Sequence, residues 1–244
     1  MKFILSMIFL LPALFVNAQT RLVPAKKLVD KKWLTDQRYQ MAWYAIRDTA
    51  RFEIGKITVQ VSNGNSRITV ITQVNMKNAK SPWIDSTIAN AEDLAPVYHS
   101  SYNAQRDMVL NFGKVVTGFY TDKVNKTTTA INDTTTEYYF DSNIYPALVT
   151  WLPLKEGYKQ DISIYDYNPR GKTGVLKAMI REVKKGVLES AKSGIQEVWI
   201  VSVSDEIGGD DAVNTYYIGI TDRKLWKQEL IAGGRKMKME LIEE

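Results

Sequence analysis

Residues 57–74, ITVQVSNGNSRITVITQV, contain two alternating segments on either side of a polar centre. Every second residue from Ile57 to Val61 is apolar, and the alternation resumes from Ile68 to Val74. A period of two places the apolar side chains of a strand on one face. The intervening residues 63–66, NGNS, are turn formers. The stretch therefore predicts an antiparallel β-hairpin with one buried face.

The same period recurs along most of the chain, which predicts ten or more short strands. In the last of them, Met237, Met239 and Leu241 alternate with charged residues, so the methionines and the leucine should be buried and the charges solvated. The polar tract 122–136 fits a long solvated hairpin, because threonine is a good strand residue. The further predicted strands are 108–112, 116–120, 136–141, 162–167, 175–183, 198–203, 216–220, 225–231 and 236–241.

Helical signals are few. Residues 85–95 have a helix-friendly composition closed by Pro96, and residues 146–152 begin with a proline that suits a first helical turn. We therefore expect a mainly β protein: a single curved antiparallel sheet or half-open β-barrel with one to three short helices. No linker rich in proline or glycine divides the chain, so residues 19–244 are expected to form a single β-rich domain.

The N-terminus predicts export. Lys2 is followed by an almost unbroken apolar run over residues 3–16, and Val16 and Ala18 supply the small side chains that precede a cleavage site. About 14 apolar residues fall short of the roughly 20 that span a bilayer as a helix. We expect residues 1–18 to be a cleaved signal peptide, Gln19 to start the mature protein, and the location to be periplasmic or secreted. No transmembrane span is expected in the mature chain.

Composition excludes several classes of site. The chain has no cysteine, which removes disulfides, thiolate nucleophiles and cysteine metal ligands. Its net charge of +5 is scattered among both signs, so a nucleic-acid interface is not expected. We expect no metal site and no cofactor.

Motifs that carry chemistry are weak. His99 is the only histidine, no Gly-x-Ser-x-Gly motif accompanies it, and a surface or loop histidine is the preferred interpretation. The acidic loop 205–211, DEIGGDD, offers four carboxylates for calcium but lacks the ligand spacing of a known calcium loop. It is interpreted as a hairpin turn, with calcium binding left open. No catalytic residue is assigned.

Aromatic residues give a stronger indication of a binding site than these motifs do. Consecutive pairs such as Tyr138-Tyr139 must point to opposite faces of a strand, so both faces receive rings. If the sheet curls around a cavity, its ligand-binding lining is expected to come from large rings on or beside strands. The alternative is ordinary core packing. The candidate ligand-binding residues are Trp43, Tyr139, Trp151, Tyr165 and Trp199.

The C-terminal half also carries a resemblance. Residues 141–158, DSNIYPALVTWLPLKEGY, together with EVW at 197–199, TYYI at 215–218 and RKLWK at 223–227, are similar to the DUF3108-like family of exported bacterial proteins. Proteins of this family look related in fold to the periplasmic lipoprotein carriers and their outer-membrane receptor, which are half-open barrels closed by helices around an apolar cavity. The resemblance implies a shell for a lipid or other hydrophobic ligand and no established enzyme activity.

The function expected from the sequence is that of an exported, non-catalytic binding protein of the bacterial envelope. Its partners would be a lipid or hydrophobic small molecule, or an envelope protein. Two alternatives stay open: an extracytoplasmic hydrolase of glycan or ester bonds, and a structural docking component of an envelope complex. The first would be favoured by two carboxylates or a serine–histidine pair meeting in one cleft.

Overall fold

The computed structural model describes residues 20–209 and 212–243. The predicted signal peptide lies outside the described residues, and so do Asp210 and Asp211 of the acidic loop.

The described residues form a single sheet of fifteen strands. Along the sheet the strands lie in the order β8-β7-β6-β5-β4-β3-β2-β1-β15-β14-β13-β12-β11-β10-β9, and neighbours are antiparallel except for the parallel pair β9 and β10. The strands are β1 (Gln37–Arg47), β2 (Ala50–Gly64), β3 (Arg67–Met76), β4 (Trp83–Asn90), β5 (Pro96–Tyr102), β6 (Arg106–Asn111), β7 (Val115–Asp122), β8 (Thr127–Thr134), β9 (Phe140–Asp141), β10 (Gln160–Asp166), β11 (Gly174–Ser190), β12 (Gly194–Asp205), β13 (Val213–Gly219), β14 (Leu225–Ala232) and β15 (Arg235–Ile242).

The predicted hairpin is confirmed as β2 and β3. Val61 lies opposite Val70, and the strands are joined by a two-residue turn at Asn65 and Ser66. Both turn residues have positive φ, 53° and 60°. Two positive φ values are typical of a type I′ turn, whose backbone twist matches the right-handed twist of the flanking strands. Turns of this type are therefore common in hairpins with a two-residue loop. The polar tract is likewise a hairpin, formed by β7 and β8.

The C-terminal strand lies in the middle of the sheet. β15 pairs with β1 on one side and with β14 on the other, so it joins the N-terminal strands β1–β8 to the C-terminal strands. Of its predicted buried side chains, Met239 is buried, whereas Met237 and Leu241 are half-buried. Lys238 and Glu240 are also half-buried, and they form an ion pair with each other. The predicted alternation of burial is therefore correct only for Met239 among the apolar residues.

Two predictions of local structure are wrong. Residues 85–95 are not a helix, because most of them belong to strand β4 and the turn that follows it. The strand expected at 136–141 shrinks to Phe140 and Asp141, and residues 135–139 run as a loop. The helix expected at 146–152 is confirmed as α1 (Tyr145–Trp151). Within the described ranges it is the one α-helix, accompanied by a 3-10 turn at Lys31–Trp33.

The curled sheet packs around helix α1. Leu148 and Trp151 of the helix are almost fully buried among residues of both halves of the sheet, such as Val70 of β3 and Val201 of β12. Burying one such side chain stabilises a fold by roughly 1.5–3 kcal/mol. The main core is therefore filled by side chains from the helix and the inner face of the sheet.

Across residues 20–209 and 212–243, no helix is long and apolar enough to cross a membrane.

Candidate functional site

The two ends of the sheet meet, although they are far apart in strand order. β5, the fourth strand from one end, contacts β9 at the opposite end. Side-chain hydrogen bonds also join the two ends: the Tyr165 hydroxyl donates to Asp133 at 3.0 Å, and the Tyr139 hydroxyl donates to the carbonyl of Gly113 at 3.0 Å. We name this contact between β4–β8 and the 135–143 and β10 segments the closing seam.

Aromatic rings fill the middle of the closing seam. Tyr139 and Tyr165 lie 5.2 Å apart between ring centres, and Phe112 meets each of them at 5.9 Å in an edge-on arrangement. Such pairs add to the stabilisation that burial alone provides. They form a second core whose buried members are Met108, Leu110, Val116, Ile131, Tyr139 and Tyr165.

A buried polar cluster lies beside these rings. His99 of β5 is 5% exposed and Asp141 of β9 is fully buried, and their Nδ1 and Oδ1 atoms are 2.9 Å apart. The Thr87 hydroxyl donates a hydrogen bond to the other oxygen of Asp141, and Asn143 donates to Thr87 at 2.9 Å. The interpretation of His99 as a surface or loop histidine is therefore wrong. It is a buried partner in the contact that closes the sheet.

Opposing effects act on the pKa of His99. Burial, the largest single effect, lowers the pKa of His99, but the charge and hydrogen bond of Asp141 raise it, helped by the charges of Asp85 and Asp166. The net result is a pKa above the usual value of 6.5. Burial also raises the pKa of Asp166, whose carboxylate accepts a hydrogen bond from Ser142. A buried charge is tolerated when it is paired, which the Asp141 contact achieves.

The cluster is not arranged as a catalytic triad. Ser101, the serine on the same strand face as His99, accepts hydrogen bonds from Trp83 and Arg106 instead. A nucleophile and its base need to be within hydrogen-bond reach of each other and of substrate. His99 is almost fully buried, so the geometry favours a structural role for the histidine–aspartate pair.

An apolar cleft opens at one end of the closing seam. Its volume is about 420 Å³, and its walls come from the N-terminal segment, the turns after β4 and β6, and the loop 135–139. Tyr138 is 77% exposed there, while its neighbour Tyr139 is 5% exposed. The two rings thus lie on opposite sides of the segment, although these residues run as a loop and not as the expected strand. The lining includes Pro24, Pro96, Phe112, Gly113, Tyr138 and Tyr139.

The five candidate ring residues are not brought together in one place. Tyr139 lines the apolar cleft and, with Tyr165, belongs to the closing seam. Trp151 and Trp199 are buried in the main core, and Trp43 packs against that core while half-buried. Their role as ligand-binding residues stays a prediction, and only Tyr139 has its ring beside a described cleft of ligand size.

The acidic loop follows β12 as the predicted hairpin connection. Asp205 is buried, accepts a hydrogen bond from the Tyr145 hydroxyl of α1, and accepts the backbone N–H groups of Ile207 and Gly208 at 3.1 and 2.8 Å. This carboxylate therefore orders the turn. Among the described residues, no group of three or more metal-binding side chains is found.

Sequence reasoning missed the His99 cluster because Asp141 lies 42 positions away in the chain. One signal was present. Asp85 and Thr87 on β4, and His99 and Ser101 on β5, are polar residues at alternate positions, which places both pairs on one face of neighbouring strands. Polar residues at every second position of neighbouring strands indicate a buried polar network when that face of the strands points inward. The strands must be identified before this signal can be used.

Comparison with known proteins gives one family and one fold. A family model described as "Protein of unknown function (DUF3108)" matches residues 38–240. A crystal structure of a β-barrel-like protein of the domain of unknown function DUF1849 from Brucella abortus is similar in fold, with a TM-score of 0.55 and 9% sequence identity. The match covers 90% of this chain and 98% of that one. Comparison with curated proteins finds no match.

Proposed function

We propose that this chain, which belongs to the DUF3108 family, is an exported, non-catalytic binding protein of the bacterial envelope that holds a hydrophobic ligand in the apolar cleft of its closing seam. Export is inferred from the apolar N-terminal run, and the envelope location follows from the same feature. A kinship with the lipoprotein carriers is part of this proposal.

The observation that carries the proposal is the cleft itself. Its volume of about 420 Å³ falls in the range of ligand sites, which are concave and mostly apolar with a few polar groups. Phe112, Pro96 and Tyr138 supply apolar wall. The charged lining residues are Lys114 and Glu137, and because Glu137 is paired with Arg21 at 3.3 Å, Lys114 is the cation that can meet an anionic head group. The cleft is thus suited to an acyl chain that ends in a carboxylate or phosphate.

The expected affinity follows from apolar burial. Each methylene removed from water contributes about 0.8 kcal/mol, so about ten methylenes contribute roughly 8 kcal/mol. That free energy corresponds to micromolar binding before the cost of ordering the chain is subtracted. Subtracting that cost weakens the binding, so we expect dissociation constants in the high micromolar range for medium-length fatty acids.

Titration calorimetry of the mature protein with laurate, below the concentration at which it forms micelles, tests this. Thr136 is exposed and lines the cleft, so Thr136→Trp should block it and weaken binding at least tenfold. Tyr138→Ser should weaken binding by removing an exposed wall. Phe52→Ser is the matched control, because Phe52 is an exposed ring on β2, outside the cleft lining.

Saturable binding that both cleft variants weaken and the control leaves intact supports the proposal. Binding that is insensitive to Thr136→Trp, or no binding of laurate and longer fatty acids, contradicts it. If no fatty acid binds, the alternative of a structural docking protein is tested next. The first residues to substitute are then Val187 and Ile195, which are exposed on the β11–β12 hairpin.

A further inference from the structure

A second cleft opens at the opposite end of the closing seam. The apolar cleft lies at the turn after β6, whereas this one lies at the turn between β5 and β6 and the turn after β7. Its volume is about 560 Å³. We name it the polar cleft, and its lining includes Met76, Trp83, Gln105, Arg106, Val124, Asn168 and Arg170.

Trp83 provides a fixed aromatic wall. The residue is 36% exposed, yet its indole N–H already donates to Asp85 at 2.8 Å and to Ser101 at 3.1 Å. The guanidinium of Arg106 lies 5.7 Å from the ring centre. The ring is therefore held in one orientation while part of its apolar surface stays in contact with water. The nearby side chains of Met76 and Val124 are also exposed.

Polar groups without partners accompany this wall. The Nε atom of Arg106 is buried, and among the described residues it has no hydrogen-bond partner. The Nε2 atom of His99 also lacks a partner, and the Asp85 carboxylate lies 4.0 Å from it; His99 is not among the residues that line the cleft. His99 neighbours Ser101 on its strand face, and Ser101 accepts from Arg106. Buried polar atoms are nearly always satisfied, so the Arg106 side chain, which lines the cleft, has capacity left for a hydrogen bond with a ligand or water.

The local charges decide between an anionic and a neutral ligand. The lining of the cleft contains two cations, Arg106 and Arg170, and the amide side chains of Gln105 and Asn168. Arg170 is already paired with Asp122 at 2.8 Å. The pKa of Asp122 is lowered to about 2, first by the backbone N–H of Asn125 and then by Arg170, so this carboxylate stays charged. One of the two lining cations is thus already neutralised, and the amide side chains can both donate to and accept from a neutral hydroxyl.

We propose that the polar cleft binds a pyranose ring of a neutral oligosaccharide, with one sugar face against Trp83 and hydroxyls bonded to Arg106 and to the amide side chains of Gln105 and Asn168. The C–H face of a sugar matches the exposed indole, and its ring of hydroxyls matches a rim of mixed donors and acceptors. The site is separate from the apolar cleft and does not depend on the function proposed for it.

The test is two-dimensional NMR or calorimetric titration of the mature protein with maltotriose, cellotriose and the trimer of N-acetylglucosamine. At least one of them should bind saturably in the high-micromolar to millimolar range. Trp83→Ala should weaken that binding at least tenfold. Arg106→Lys should weaken it severalfold, because lysine keeps the charge and loses the planar donor set.

Two controls distinguish sugar binding in the polar cleft from sugar binding elsewhere on the protein. Phe52→Ala removes an exposed ring on β2 and should leave sugar binding unchanged, as should Tyr138→Ser in the apolar cleft. Trp83→Phe keeps an aromatic wall if the alanine variant does not fold, and should retain part of the affinity. Absence of saturable binding by all three sugars overturns the proposal. So does sugar binding that Trp83 variants leave intact, or binding of inorganic phosphate that depends on Arg106 in place of sugar binding.

Discussion

Replacing His99 by leucine should lower the free energy of unfolding by about 3 kcal/mol at pH 6. Removing one partner of a buried ion pair typically costs about 3–5 kcal/mol, because the other charge stays buried without compensation. Asp141 would keep the hydrogen bonds from Thr87 and from the backbone N–H of Asn143, which places the expected loss at the lower end. Leucine fills most of the volume of the imidazole, so the change reports on charge more than on packing.

The loss should depend on pH in a defined direction. The pKa of His99 in the folded protein lies above its usual value of 6.5, so protonation favours the folded state. The contribution of His99 is therefore fully present below pH 6.5 and is lost as the pH rises through the raised value. The difference in stability between wild type and His99→Leu should shrink between pH 6 and pH 9. Asp85 and Asp166, the other charges that face the ring, are retained in both proteins.

Urea unfolding followed by tryptophan fluorescence at several pH values measures this difference. Asp141→Asn and the double variant with His99→Leu complete a thermodynamic cycle, since the double variant no longer buries an unpaired carboxylate. The double variant should be more stable than the sum of the single losses predicts. A single loss below about 1 kcal/mol, or strict additivity in the cycle, would refute the reasoning that this pair holds the closing seam together.

Three further predictions concern the fold and the export signal. Truncation after Gly234 removes β15 from between β1 and β14, so circular dichroism should show loss of the cooperative unfolding transition; an unchanged melting curve would contradict the central position of this strand. Gly118→Ala should prevent accumulation of folded protein, because the residue has φ of 156° and a Cβ there would lie 1.9 Å from the Val109 carbonyl oxygen; a soluble variant with native stability would count against this packing. Mass spectrometry of the exported protein should find Gln19 as the first residue, and a species that keeps Met1 would exclude cleavage at the predicted site.

Strand prediction is correct where apolar residues on a buried face alternate with polar residues on a face turned to solvent. The β2–β3 hairpin satisfies this condition, and its pairing follows directly from the sequence. The prediction failed in β4, because Asp85 and Thr87 belong to the polar cluster at the closing seam, with Thr87 fully buried there, while Ile84 and Ile88 on the opposite face are only half-buried. In this strand a polar side chain is buried and apolar side chains are partly exposed, so the alternation does not indicate a strand. The composition of the segment alone resembles that of a helix.

The candidate site was harder to predict because the curl of the sheet creates it. Asp141 reaches His99 only when β9 meets β5 across the closed seam, and no local pattern encodes that contact. Residues 136–141 are predicted to form a strand, yet the loop 135–139 crosses the end of the closing seam and forms a wall of the apolar cleft. The size and position of Tyr139 predict a ligand-binding role, and the ring lies beside the apolar cleft, but that role stays a prediction. The tryptophans Trp151 and Trp199 were selected on the same grounds and lie in the main core.

Photo-crosslinking tests the central claim most directly. A fatty acid that carries a diazirine near the end of its chain would be bound to the mature protein, irradiated, and mapped by peptide mass spectrometry. We expect labels on residues 112–114 and 135–139, which line the apolar cleft, and we expect unlabelled laurate to compete them away. Labels concentrated around Trp43, Trp151 or Trp199 would instead show a ligand inside the main core, and labels that laurate does not displace would show that the cleft holds no hydrophobic ligand.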